Sequence, residues 1–362
     1  MILAQTQTQA LLLLVLGTLC WGLWAATFKL TGKWRYELFY FDFAIGAGAS
    51  ALLFALTFGS LGFDGFSFID DVMHAGKREW LFAAGAGVIF NLANMILMAA
   101  ITVAGLSVAV PLGLGITLMF GVGISVLLHH GGSAFLMFMG TACLLVAVVM
   151  MGVAYSFLIS GRQDRLVEQG KVKTTSYIPG YNKGMIVSTN APSSAKGLLL
   201  SIVSAALMWI MFPLVTKARN GDLGLGPYSL MVMFALGMTA STFLFNMFFI
   251  NLPVEGDPVE LFEYFRGKFK AHVIGWLAGL IWCVGMVSNL VVAGGAQEAQ
   301  PAASVVYAFQ QGAVLVAALF GILVLKEFKD GEGRVRAMVV TFLAVFACGV
   351  ICLALSAKFV KA

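Results

Sequence analysis

Ten apolar runs, each about as long as a bilayer crossing, take up most of this 362-residue chain. A helix needs roughly 20 apolar residues, at about 1.5 Å of rise each, to cross about 30 Å of hydrocarbon. With a mean hydropathy of +0.94 and 11% charged residues, no soluble core of this size could hide so much apolar surface. The bilayer is therefore the solvent. Backbone polar groups must pair internally there, which means helices, and the runs lack the short alternation of a transmembrane barrel. The expected fold class is an all-α integral membrane protein.

The spans are expected at 10–28, 38–61, 80–103, 106–128, 134–159, 197–215, 227–252, 273–294, 301–325 and 335–356. Almost nothing separates the third from the fourth or the eighth from the ninth, so each of these pairs is expected to form a tight hairpin. The stretch 161–196 is the one long polar segment, with Arg162, Arg165, Lys171, Lys173, Lys183 and Lys196. It divides the chain into a first half, 1–160, and a second, 197–362, of five spans each. The opening residues carry no Lys or Arg ahead of the first apolar run and no small-residue cleavage site, so that run reads as a span rather than a signal peptide.

Of the 22 Lys and Arg residues, 16 fall between spans or at span ends on the side that holds 161–196. Cytoplasmic connections retain positive charge, so the linker is expected in the cytoplasm and both termini outside, in a bacterial-type inner membrane. The halves also echo one another. Trp21 precedes Lys29 by eight residues, and Trp209 precedes Lys217 by eight; Val103-Ala104-Gly105 is matched by Val292-Ala293-Gly294. The stretches 64–80 and 257–272 both begin acidic and end basic, like short interfacial helices. With five spans per half, duplication would give inverted repeats, the arrangement that lets a transporter alternate between two near-equivalent states.

Composition excludes several functions. No phosphate-binding loop is present, since Gly170-Lys171 is followed by Val172. The positive charge forms no stripe interleaved with aromatics, so no nucleic-acid partner is expected. Cys20, Cys143, Cys283, Cys348 and Cys352 lie within spans without metal-ligand spacing, and His74, His129, His130 and His272 sit near span ends. No cofactor, metal or enzymatic activity is expected.

Polar residues inside spans carry the remaining information, because each costs free energy in lipid and tends to face a bundle interior or a wet cavity. Candidate solute-binding residues are Trp21 and Trp24 of span one, Asn91 and Asn94 of span three, Trp209 of span six, Asn289 of span eight, and Tyr307, Gln310 and Gln311 of span nine. Gln300, Ser304, Tyr307 and Gln311 step along one helix face. Amides supply directional donors and acceptors, and indoles stack on flat or apolar faces. The same groups also serve as interhelical glue or interface anchors. Asp42 and Glu298 are candidates for proton coupling; the alternatives are a helix N-terminal carboxylate and an exposed loop acid. Ridges of small residues, Gly113 to Ser125 and Gly275 with Gly279, fit close packing within a monomer or in a homodimer.

Several motifs, spread over both halves, resemble one superfamily: Cys20-Trp21-Gly22 with Lys29-Leu30, the run Glu37 to Phe43, Asn91-Leu92-Ala93-Asn94, Ala104-Gly105-Leu106-Ser107, Gly113 to Leu118, and Gly321 to Glu327. They resemble the drug/metabolite transporters, and among them the branch of glucose/ribose porters, rhamnose-proton symporters and ureide permeases. The resemblance implies ten helices in two inverted repeats and secondary active uptake of a small polar solute, commonly driven by protons. By position, Asp42 resembles a span-two acid of the ureide-permease-like members and Gln311 a span-nine glutamine. The function expected first is import of a neutral sugar, with ureides or nucleobases as the alternative solutes and metabolite or drug export after them. A non-transport membrane subunit or intramembrane enzyme is the alternative from another class.

Overall fold

A computed structural model describes residues 1–32, 34–127, 132–168 and 194–359. His129, His130 and linker residues 169–193 lie outside the described residues. Within them are ten helices long and apolar enough to cross a membrane, and no strand. The ten are α1 (Gln7–Thr31), α2 (Tyr36–Leu56), α3 (Lys77–Ala104), α4 (Leu106–Leu127), α5 (Ala134–Glu168), α6 (Ser194–Arg219), α7 (Pro227–Asn251), α8 (Phe269–Gly294), α9 (Ala303–Val324) and α10 (Gly333–Phe359). The chain is an all-α, multi-pass membrane protein. The outward helix surfaces carry large apolar side chains, as at Leu12, Phe135, Leu244 and Val340.

Local chemistry sets the helix ends. Thr6 and Gln9 form a reciprocal capping box at the start of α1. Gly105 alone joins α3 to α4, at φ +90°, where any other residue would be strained. The free amides at the start of α4 are then capped from another helix: the Glu327 carboxylate, just beyond α9, accepts from Leu106 N and Ser107 N, both at 2.8 Å, and from the Ser107 hydroxyl. A carboxylate suits a helix N-terminus by charge as well as by hydrogen bonding. Two π-helical turns, Pro111–Gly115 in α4 and Phe320–Val324 in α9, interrupt the regular ladder.

Two boundaries differ most from the sequence expectation. Helix α5 continues past residue 159 to Glu168, because Arg162 and Arg165 lie on one face of it and donate to the Glu327 and Asp330 carbonyls. Helix α2 stops at Leu56 rather than 61, where Thr57 leaves helical geometry and its hydroxyl donates to the Leu53 carbonyl. Of the two interfacial segments, the first forms a helix at Phe68–His74 and the second a single turn at Phe262–Phe265.

The helices pack across the halves. Helix α3 lies along α6 and α8 along α1; α2 lies against α8 and α7 against α3; α4 meets α5 and α6, while α9 meets α10 and α1; α5 pairs with α10, α2 with α7, and α4 with α9. Moving every helix five places on, with α6 to α10 returning to α1 to α5, leaves these pairs unchanged, while the contacts of α3 with α4 and of α5 with α6 have no counterpart of the same extent. The agreement reaches individual atoms. On the α2–α8 seam, a Cβ at Gly46 would lie 2.3 Å from the Trp276 carbonyl and one at Gly279 2.2 Å from that of Phe43. On the α7–α3 seam, a Cβ at Gly237 would lie 1.9 Å from the Ala84 carbonyl and one at Gly87 2.0 Å from that of Phe234. Glycine at all four positions lets backbone touch backbone, which is how helices associate where lipid removes the hydrophobic drive.

The connections fall at two ends. One, the linker end, holds the α3–α4 hairpin, the α7–α8 and α9–α10 connections and the facing ends of α5 and α6. The other, the terminus end, holds the start of α1, the α8–α9 connection and the C-terminal end of α6.

Candidate solute cavity

A cavity of about 570 Å³ lies among α1, α3, α4, α6, α8 and α9, with Phe234 of α7 at its wall. Its inner part is aromatic: Trp282 stacks on Phe90 at 4.9 Å between ring centroids and lies 6.1 Å from Phe234. From there it runs to Arg219, Ala293 and Gln300 at the terminus end, and none of its lining residues comes from the linker-end connections. It therefore opens at the terminus end and is shut at the other. The volume lies within the range of small-molecule sites.

Few polar groups line the cavity. Asn94 Nδ2 donates to the Tyr40 hydroxyl at 3.1 Å, and Asn94 Oδ1 has no partner. Trp21, packed on Gly285, keeps its indole N–H without a partner. Gln310 Nε2 donates to Asn289 Oδ1 at 3.2 Å, and Asn289 Nδ2 donates to the Gly285 carbonyl at 2.9 Å. Tyr307 accepts from Ser125 Oγ at 3.2 Å. The wall thus holds one free buried acceptor and one free buried donor, and such groups are costly unless something binds them. Arg219, at the mouth, is the sole cation among the lining residues, and its guanidinium donates to the Ala293 carbonyl at 2.9 Å; no carboxylate lines the space. Such a wall disfavours cations and fits a neutral or anionic solute.

Of the residues picked from the sequence, Trp21, Trp24, Asn94, Asn289, Tyr307 and Gln310 come together here. Four lie elsewhere. Asn91 is engaged by α7, donating to Ser241 Oγ at 2.8 Å and accepting from Thr242 Oγ1 at 3.3 Å. Trp209 is turned outward, 40% exposed, beside Phe120, and the α6 wall is made by Met208 and Met211. One residue is about 100° of helical turn, so matching Trp209 to Trp21 in the sequence put it on the wrong face. The same step separates Gln310 from Gln311, which is buried behind the wall and donates to the Gly115 carbonyl of the π turn at 3.1 Å. Glu298 is exposed in the α8–α9 connection. Met208, Met211, Phe234 and Phe90 were missed because nothing separates a cavity methionine or phenylalanine from a lipid-facing one in an apolar run.

Asp42 is fully buried near the linker end, with Tyr264 Oη donating to its Oδ1 at 2.6 Å and His272 Nδ1 standing 2.8 Å from its Oδ2. Arg35 and Glu37 pair beside it at 2.8 Å, and the Glu37 bond holds the Arg35 guanidinium above its ordinary range.

The ureide permease family model matches residues 39–196, from α2 into the start of α6. Ureide permease 1 of Arabidopsis thaliana is 22% identical over 386 residues, and Ureide permease 4 of the same plant 22% identical over 398. Each alignment covers 97% of this chain and 97% of the relative. The chain is similar to ureide permeases. Of the three branches that its motifs resemble, this is the one the comparisons support, and it points to transport of small solutes rather than to catalysis.

Proposed function

We propose that this chain is a secondary transporter that imports a ureide or nucleobase-like solute by alternating access, with a proton as the coupling ion and Asp42 as the acid that takes it. The observation that carries the solute class is the pair of unpartnered polar atoms in the wall, Asn94 Oδ1 and the Trp21 indole N–H. A ureido or imide group offers an N–H and a C=O along one edge of its plane, a donor for the Asn94 oxygen and an acceptor for the Trp21 N–H, with its faces free to stack on the aromatic residues of the wall. The names of the relatives favour the same solute over the sugar expected first from the sequence.

The exchange-symmetric packing and the matched glycine seams support two inverted five-helix repeats, 1–160 and 197–362, joined by the linker. A cavity open at one end and shut at the other is what one state of such a repeat would present. With the linker in the cytoplasm of an inner-membrane protein, this state faces outward. Every wall of the cavity comes from one chain, so a monomer suffices for transport.

The test is uptake into proteoliposomes of labelled allantoin, uracil, glucose, ribose and rhamnose, with and without an inward proton gradient. Accumulation of allantoin or uracil only with the gradient is expected. Accumulation of a sugar alone would return the protein to the sugar porters, and flux of no member would overturn the import reading.

A further inference from the structure

The trio of Asp42, His272 and Tyr264 breaks the repetition that governs the rest of the bundle. Counting from the first residue of each helix, Gly46 of α2 matches Gly237 of α7, and Gly279 of α8 matches Gly87 of α3. By the same count, Asp42 matches Met233 and His272 matches Trp80. One seam is thus built with an ionisable pair and its counterpart with two apolar side chains. The architecture can be completed without charge at this place. A buried carboxylate there costs desolvation that the other seam avoids.

The geometry also fixes which solvent the trio meets. A Cβ at Gly275 would fall 2.4 Å from Asp42 Cβ, so α8 closes directly over the acid. Toward the cavity lies an aromatic layer, with Trp24 against Phe43 at 4.9 Å and Phe43 against Trp282 at 5.8 Å. Toward the linker end lies His272, whose side chain is 14% exposed while that of Asp42 is 0%. The rings of Trp34 and Tyr264 meet His272 edge-on at 5.4 and 4.7 Å and hold it in place. Burial, and then the bond to Asp42, push the Tyr264 phenol above its ordinary range, so it stays a donor.

Among the described residues, no other charged group pairs with the acid. Glu37 of α2 is paired with Arg35, and Lys29 of α1 has Glu327 and Glu255 as its acidic neighbours. Glu263, Arg266, Lys268 and Lys270, on the α7–α8 connection and the start of α8, are exposed. From α7, Asn246 donates to the Glu37 carbonyl.

We propose that Asp42, His272 and Tyr264 form the coupling-proton site, and that while the solute cavity is open at the terminus end this site exchanges protons through His272 with the linker-end solvent. A proton taken up at His272 passes along the existing Nδ1 bond to Asp42 Oδ2, and Tyr264 holds the other carboxyl oxygen. This rests on the transport reading above and deepens it. Solute and proton then meet opposite compartments in this one state.

Two measurements on the full-length protein test it. The first needs no solute: infrared difference spectra of the reconstituted protein, titrated across pH about 4 to 9, read the C=O stretch of a protonated carboxyl. A titrating band that Asp42→Asn removes and His272→Gln shifts is expected. Absence of that band in the wild type, or its persistence in Asp42→Asn, would overturn the site whether or not the solute class is right. The second is solute counterflow in oriented proteoliposomes with pH set separately on each face. The rate should change at least several-fold with pH on the linker face, change little with pH on the other, and lose the dependence in His272→Gln. Tyr264→Phe should shift the midpoint and keep the sidedness. Dependence on the cavity-mouth face would overturn the proposed exchange route. Should no panel solute exchange at all while the band titrates, the solute reading fails and the proton site stands.

Discussion

Asn94 has one half of its amide bound to Tyr40 and the other half free, and that division decides what its replacement does. Asn94→Ala removes the free acceptor and should raise the solute Kd about tenfold, the worth of one hydrogen bond of about 1 to 1.5 kcal/mol. Trp21→Phe keeps the ring and removes the donor, so a comparable loss is expected, with membrane insertion intact in both variants. Binding measured by tryptophan fluorescence or counterflow would decide, and unchanged affinity in both would place the solute elsewhere. At this scale the sequence was partly legible. Asn94, Asn289 and Gln310 stood out as polar residues in apolar runs, and they do meet in the cavity. Asn91 stood out for the same reason, yet its amide is satisfied by Ser241 and Thr242 on a helix that sequence spacing could not pair with it. His272 looked like any span-end histidine, because its meaning comes from Asp42, 230 residues away.

Among the helices, the four seam glycines set how closely α2 meets α8 and α3 meets α7. Gly46→Ala or Gly237→Ala must push backbone from backbone and should cost about 1 to 3 kcal/mol, seen as earlier thermal unfolding in detergent. Gly85→Ala on the same α3 meets nothing within 4 Å and serves as the control, where a gain from better helix propensity of up to about 1 kcal/mol is expected. Equal melting of all three would remove the seams as determinants of packing. Spans and the tight α3–α4 turn were readable from hydropathy, because length and apolarity are local properties; the second expected hairpin is instead a connection over 295–302 with a 3-10 turn at Gln297–Ala299. The π turns at Pro111–Gly115 and Phe320–Val324 were not readable. They depend on partners such as the Gln311 amide, which takes the Gly115 carbonyl from another helix.

For the whole molecule, sidedness is the claim most open to direct test. Gln300 lies exposed at the cavity mouth and Asp330 exposed at the linker end. In intact cells a membrane-impermeant maleimide should label Gln300→Cys above the wild-type background and reach Asp330→Cys only after lysis. The opposite pattern would reverse the orientation and make the shut end the external one. A proposed division into halves was readable, as an expectation, from the polar linker and the echoed motifs. How the halves meet was not, since no sequence pattern states which helix lies along which.

That meeting has a consequence for how such a chain can come to exist. The long contacts of α3 with α6, α8 with α1, and α5 with α10 all join one half to the other, so each half buries much of its surface against its counterpart. Cutting the peptide between Glu168 and Ser194 would leave every one of those contacts available. Two genes, each encoding five helices, could then specify the same object, assembled in the membrane by mutual templating, and a fused gene would be a matter of dosage and timing rather than of folding.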